Sequence, residues 1–171
     1  MSSRLLNPAE LGERLAHGRP VRLLDARPAS QFAAGHLPGA LHLDPFGISL
    51  IDSRPAPLRA FEWIMQHLLE LRGVTRDEAV VVYEESSGMR AARLVWLLTL
   101  FGHPDARLLD GGITRWRAER RAVVRDAVAE PETASTLIVE RRPEELATVE
   151  DVLAALGKPD VAIVDVRSRA E

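Results

Sequence analysis

The chain has 171 residues, 22 of them basic and 25 acidic, for a net charge of -3, with 46% hydrophobic residues and a mean hydropathy of -0.06. That length allows one full domain and part of a second, and the interspersed charge leaves no footprint for nucleic acid or an anionic membrane as partner. The complete lack of cysteine excludes disulfides, thiolate chemistry and cysteine metal sites.

The opening "MSSRLLNPAE" lacks the apolar core of a signal peptide. No apolar run approaches the roughly 20 residues needed to span a bilayer, so a cytoplasmic location is expected. Asn7, Pro8 and Glu10 then read as an N-cap, a first-turn proline and a capping-box acid, predicting a helix to about His17 that stops at Gly18. "VRLLDA" (21–26) has the length of a strand, and Pro28 ends it. "ASQFAAGH" predicts a short helix stopping at Gly35, and "GALHLD" (39–44) a brief strand. In 58–72, Leu58, Phe61, Ile64, Met65, Leu68 and Leu71 form a stripe of helical period closed by Gly73. "AVVVYE" is nearly continuous apolar strand, the pattern of a strand buried on both faces. A helix over 89–101, the strand "ARLLD" (106–110) and a helix from Gly112 to about Glu119 follow. Strands alternating with helices predict an α/β fold with a largely parallel central sheet flanked by helices.

Residues 120–147 break this rhythm with mixed charges, two prolines and short apolar runs, and read as a linker with one strand around Thr136–Val139. The chain then repeats itself. "TVEDVLAALGKPDVAIVDVRSRAE" (148–171) parallels "NPAELGERLAHGRPVRLLDARPAS" (7–30): a capped helix, a Gly followed by a basic residue and Pro, then a strand ending in Asp-x-Arg. The expected organisation is therefore one domain over 1–120, a linker over 121–147, and the truncated start of a second domain over 148–171.

Chemistry is best sought in "VVYEESSGMRAAR" (81–93), a loop between a strand and a helix N-terminus, where backbone N–H groups collect and can hold an anion. Gly88 is expected to take a backbone conformation closed to other residues, and Arg90 to add positive potential. A cysteine in such a cradle would be a depressed-pKa nucleophile. Here the position is held by Glu84 or Glu85, which can be neither persulfidated nor phosphorylated in the same way. The expectation is a cradle closed by its own side chain.

These segments resemble the rhodanese (thiosulfate sulfurtransferase) family, specifically the N-terminal half of its tandem-domain members. The likeness is carried by "LLDARPASQFAAGHLPGALHLD", "VVYEESSGMRAARLVWLLTLFGH" and "LLDGGITRWRAE", and by the restart at 148–171. The resemblance implies a rhodanese-like domain. In such proteins a cysteine in the C-terminal half carries a persulfide from a donor such as thiosulfate or 3-mercaptopyruvate to an acceptor. The N-terminal half has the same fold, typically lacks that cysteine, and packs against the catalytic half. The implied partner is therefore a C-terminal catalytic rhodanese domain of the same parent chain, with this domain forming one wall of the cleft. The full-length parent would be the enzyme, and this chain alone inactive. No cofactor is implied.

Carried over residue by residue, the family loop corresponds to Glu84, Glu85, Ser86, Ser87, Gly88, Met89 and Arg90, a vestigial active-site loop with no catalytic residue. Glu85 matches the cysteine position if Gly88 and Arg90 align with the loop's glycine and last residue, and Glu84 matches it on a one-residue shift. The other signature residues, Asp25, Arg27, His36, Pro38, Gly39, Asp110, Gly111, Gly112 and Trp116, are expected to be structural, with Asp110 capping the last helix. A zinc site at His36, His42 and Asp44 is disfavoured by their spacing, and a glycosidase-like Glu84/Glu85 pair by the opposite facing of adjacent residues on an extended chain. Arg90 and Arg93 are expected to pair with Glu84 or Glu85. Trp63, Trp96 and Trp116 are read as core or interface anchors. The alternative function is a stand-alone, catalytically silent module acting in binding or regulation.

Overall fold

The computed structural model describes residues 4–165. In chain order its elements are β1 (Leu5–Leu6), α1 (Pro8–Ala16), β2 (Val21–Asp25), α2 (Ala29–Ala34), β3 (Leu41–His42), α3 (Pro55–Leu71), β4 (Ala79–Tyr83), α4 (Met89–Leu100), β5 (Ala106–Leu109), α5 (Gly112–Ala118), a single 3-10 turn (Pro143–Glu145) and α6 (Val149–Ala155). The strands form one parallel sheet in the order β1-β5-β4-β2-β3. This is the α/β fold with a parallel central sheet flanked by helices that the alternating pattern predicts.

β4 is central and buried along its whole length. Alternate residues of a strand face opposite ways, so Val80 and Val82 enter one core with Phe61, Met65, Leu69, Leu94 and Leu98 of α3 and α4. Val81 and Tyr83 enter the other, with Leu11, Ile113 and Trp116 of α1 and α5. Helices on both faces are why β4 reads as an unbroken apolar run.

Local signals account for most boundaries. The Asn7 side chain accepts from the Glu10 amide at 2.9 Å while the Glu10 carboxylate accepts from the Asn7 amide at 3.0 Å, a closed capping box. Gly18, with φ +61, ends the helical turn that follows.

Four expectations are corrected. Sequence reading missed β1, whose two residues are too short to show periodicity; pairing with Leu108 and Leu109 makes it a strand. On α3 the buried row is Leu58, Phe61, Met65 and Leu69, while Ile64 and Leu71 are 40% and 38% exposed. A six-residue stripe was too wide for one helix lying on one sheet face. Trp63 faces solvent at 67% exposure, which removes the core part of its expected core-or-interface role. No strand forms over 136–139, because this stretch crosses α3 and the end of α4 rather than a sheet edge: Leu137 is buried, its amide donates to Glu70, and Glu140 donates to the Phe101 carbonyl.

The segment after α5 lies along the domain. Val124 forms an antiparallel bridge with His36, Ser135 Oγ donates to the Val74 carbonyl at 2.6 Å, and Trp96 Nε1 donates to the Glu145 carbonyl at 2.7 Å. In the repeated unit, Thr148 and Asp151 reproduce the capping box of α1. The following residues 161–165 form no strand and are exposed, whereas their counterpart β2 is held between β3 and β4. Asp165 is the last described residue, and the Val166 and Arg167 that complete the Asp-x-Arg lie outside the described residues.

Candidate functional site

The loop after β4 opens at the middle of the sheet, between the C-terminal ends of β2 and β5, where α/β sheets hold their ligands. Four backbone amides fix it. The Ala26 amide donates to the Tyr83 carbonyl at 2.8 Å; Ile113 and Thr114, in the first turn of α5, donate to the carbonyls of Glu84 and Glu85 at 3.0 and 2.9 Å; and the Gly111 amide donates to Ser87 Oγ at 2.7 Å. Gly112 is where α5 touches the loop. A Cβ there would lie 2.4 Å from the Glu84 carbonyl oxygen, and φ is +56. The double glycine of the "LDGG" signature thus lets a helix terminus seat the loop backbone.

Glu84 fills the cradle. Its carboxylate accepts from the backbone amides of Arg90 and Ala91 at 2.9 and 3.2 Å, capping α4 from the preceding strand. Gly88 at the helix cap is extended, with φ -137, so the expected unusual backbone is not found. The glycine provides space instead: a Cβ would sit 1.6 Å from Glu84 Oε1.

Glu85 turns the other way, to Arg27 Nη1 at 3.2 Å, Thr114 Oγ1 at 3.1 Å and Arg117 Nη1 at 3.3 Å. The two adjacent carboxylates are therefore spent on separate donors and form no facing pair. Thr114 and Arg117 escaped sequence reading, although their i, i+3 spacing after the double glycine puts both on one helical face.

Arg27 links this network to the core. It is 2% exposed, beside the fully buried Asp25, with Nη2–Oδ2 at 2.7 Å and Nε–Oδ1 at 3.0 Å, and Nη2 also donates to the Gly35 carbonyl at 2.7 Å. Burial opposes its charge, but Asp25, with help from Glu85, more than offsets this and holds the guanidinium above its ordinary range. Next to it, burial and the Asp25 charge push the Tyr83 phenol strongly upward, and its oxygen accepts from the Leu37 amide at 3.1 Å.

Arg90 and Arg93 do not pair with Glu84 or Glu85 through their side chains. Arg90 Nη1 reaches Asp44 at 2.6 Å and its guanidinium lies 4.1 Å from the Phe46 ring centre. Arg93 donates to the carbonyls of Pro45 and Ile48. Glu84 is consumed by the helix amides before either arginine can reach it. Asp110 likewise does not cap α5; Gly111 occupies that position and Asp110 pairs with Arg115.

The remaining signature residues are spread through the fold. The ring of His36 lies against the carbonyls of Leu37 and Asp126 and stacks on Phe32 at 4.2 Å. Pro38 and Gly39 form the turn closed by the Ala40 amide on the Leu37 carbonyl, with Gly39 at φ +76. Trp116 is buried and its Nε1 donates to the Ala122 carbonyl. His42 Nε2 faces the Arg27 carbonyl and Asp44 faces Arg90, so His36, His42 and Asp44 do not converge.

At the loop's mouth Arg27, Pro28, Gln31, Glu84, Glu85 and Arg90 line a shallow cavity of about 190 Å³. Within the loop, Ser86 and Ser87 are exposed and Met89 projects to solvent at 69% exposure. Ser87 Oγ accepts from the Gly111 amide, and among the described residues no histidine bonds to either serine.

Comparison with known proteins matches residues 7–119 to the rhodanese-like domain. The chain is 36% identical over 140 residues to the putative thiosulfate sulfurtransferase SseA of Mycobacterium tuberculosis, covering 82% of this chain and 46% of that protein. It is 33% identical over 168 residues to the thiosulfate sulfurtransferase of Azotobacter vinelandii, covering 98% of this chain and 60% of that protein. Among solved structures, SseA of Escherichia coli, described as a 3-mercaptopyruvate sulfotransferase, superposes with a TM-score of 0.70 at 25% identity, over 90% of this chain and 63% of that one. The chain thus spans about half the length of the curated relatives it matches. With the parallel sheet, the seated β4–α4 loop and the double glycine of α5 in place, the chain belongs to the rhodanese-like family.

Proposed function

We propose that this chain is the N-terminal, non-catalytic domain of a two-domain sulfurtransferase. In that protein a cysteine in a second rhodanese-like domain would carry sulfur from thiosulfate or 3-mercaptopyruvate. The observation that carries this reading is Glu84, whose carboxylate occupies the helix amides where a reacting anion would be held. The restarted capping box at Thr148 and Asp151 supports a second unit of the same kind. So do relatives named as thiosulfate sulfurtransferases of which the chain spans 46% and 60%. The domain would stabilise the catalytic half and form one wall of the cleft between them.

The test is sulfur transfer to cyanide, with either donor, by this chain and by the native polypeptide purified from its cells. The chain alone should not exceed the buffer rate, and the native polypeptide should turn over and be silenced by thiol alkylation. Turnover by this cysteine-free chain would overturn the proposal.

A further inference from the structure

A second cavity, of about 380 Å³, lies beside the loop, lined by Pro45, Phe46, Ser49, Met89, Arg90 and Arg93. Two large apolar side chains stand open at it, Phe46 at 57% and Met89 at 69% exposure. Two guanidiniums flank them. Arg90 is balanced by Asp44, at 2.6 Å. Arg93 has the neutral carbonyls of Pro45 and Ile48 as hydrogen-bond acceptors and no carboxylate among the described residues. A guanidinium carries five N–H donors, so Arg93 keeps donors to spare. Its surroundings press on the charge: burial pushes its pKa down, with no acid nearby to restore it. The local balance is one positive charge in excess, set against open apolar surface.

From this juxtaposition we infer that the cavity between the 45–49 loop and the start of α4 is a binding site for a small organic monocarboxylate with an apolar body. A carboxylate matches the planar fork of a guanidinium and cancels the single excess charge. Phe46 and Met89 would take the apolar part out of water. The volume is at the low end for ligand pockets, which limits the body to about one ring. An inorganic dianion matches neither the charge nor the apolar walls. The site is independent of the sulfur-transfer reading, because all its residues lie in this chain.

The experiment is an amide-resolved NMR titration of this chain with phenylacetate. The neutral isostere phenylacetamide and inorganic sulfate serve as parallel probes. Phenylacetate should give saturable shifts at Phe46, Ser49, Met89 and Arg93, with affinity at least tenfold above either control. Phe46→Ala, an exposed position that folding tolerates, should weaken binding several-fold, and Arg93→Met should remove the preference for the anion over the amide. The inference is overturned if phenylacetate does not saturate in the millimolar range. Equal binding of phenylacetamide, or of sulfate at the same residues, overturns it too, since the first leaves the guanidinium idle and the second the apolar walls.

Discussion

The carboxylate of Glu84, the first residue past β4, accepts the backbone N–H of Arg90 at 2.9 Å, six positions on and inside the first turn of α4. A strand end thereby caps the helix that follows it and fills the place where this architecture holds anions. The link is energetic as well as steric. Glu84→Ala should lose about 1 kcal/mol, the usual worth of a helix cap. Glu84→Gln keeps an acceptor and should lose only the charge–dipole part, about 0.3–1 kcal/mol. Urea unfolding checks both, and an unchanged midpoint for Glu84→Ala would contradict the capping role.

Gly88 sharpens the same point. Its backbone, at φ -137, admits any residue, yet a Cβ would lie 1.6 Å from Glu84 Oε1. Gly88→Ala should therefore destabilise by evicting the cap. In a Glu84→Ala background only the intrinsic cost of alanine at an N-cap should remain. The double-mutant cycle should give a coupling above about 0.5 kcal/mol, and strict additivity would show that the glycine is needed for another reason.

Arg27 has two acidic partners in different surroundings, and they should behave differently. Asp25 is fully buried while the Glu85 side chain is 51% exposed. Asp25→Asn leaves a buried guanidinium under-compensated and should cost about 3–5 kcal/mol. Glu85→Gln loosens a solvent-screened contact and should cost less than about 1 kcal/mol. Denaturant midpoints of the two variants decide it.

His103 gives the fold a pH dependence. It is buried between the Thr75 carbonyl, facing Nε2 at 2.8 Å, and the Asp105 amide, which donates to Nδ1 at 3.2 Å. Burial pulls its pKa below the ordinary 6.5, against a partly compensating bond to Thr75. With the folded pKa lower than the unfolded one, the unfolded chain takes up the proton first. The stability His103 contributes is therefore present above about pH 6.5 and lost as pH falls toward the folded pKa. Asp105 and Glu78 oppose the shift and Arg76 adds to it. Urea midpoints between neutral and mildly acidic pH should fall for the native chain and fall less for His103→Gln.

Much of the fold was legible because its signals are local. The Asn7–Glu10 capping box, the continuous apolar run of β4 and the glycines at 18 and 73 each act within a few residues. What escaped depends on contacts distant in sequence. β1 exists only through β5, and Leu137 is buried only because α3 and α4 offer it a groove. In the loop, the residue types pointed to an anion cradle closed by a glutamate. Which glutamate closes it, and that Asp44 takes Arg90, follows from where β3 ends and α4 begins in space. The expected α5 cap failed for a similar reason, since Asp110 found Arg115 instead.

The most direct test of the central reading is the intact mass of the native polypeptide from its own cells, with its thiols counted by alkylation. The account predicts a mass well above the 18.9 kDa of this chain, with at least one reactive cysteine. A native mass of 18.9 kDa with no thiol would contradict it and make this a rhodanese fold that works by binding.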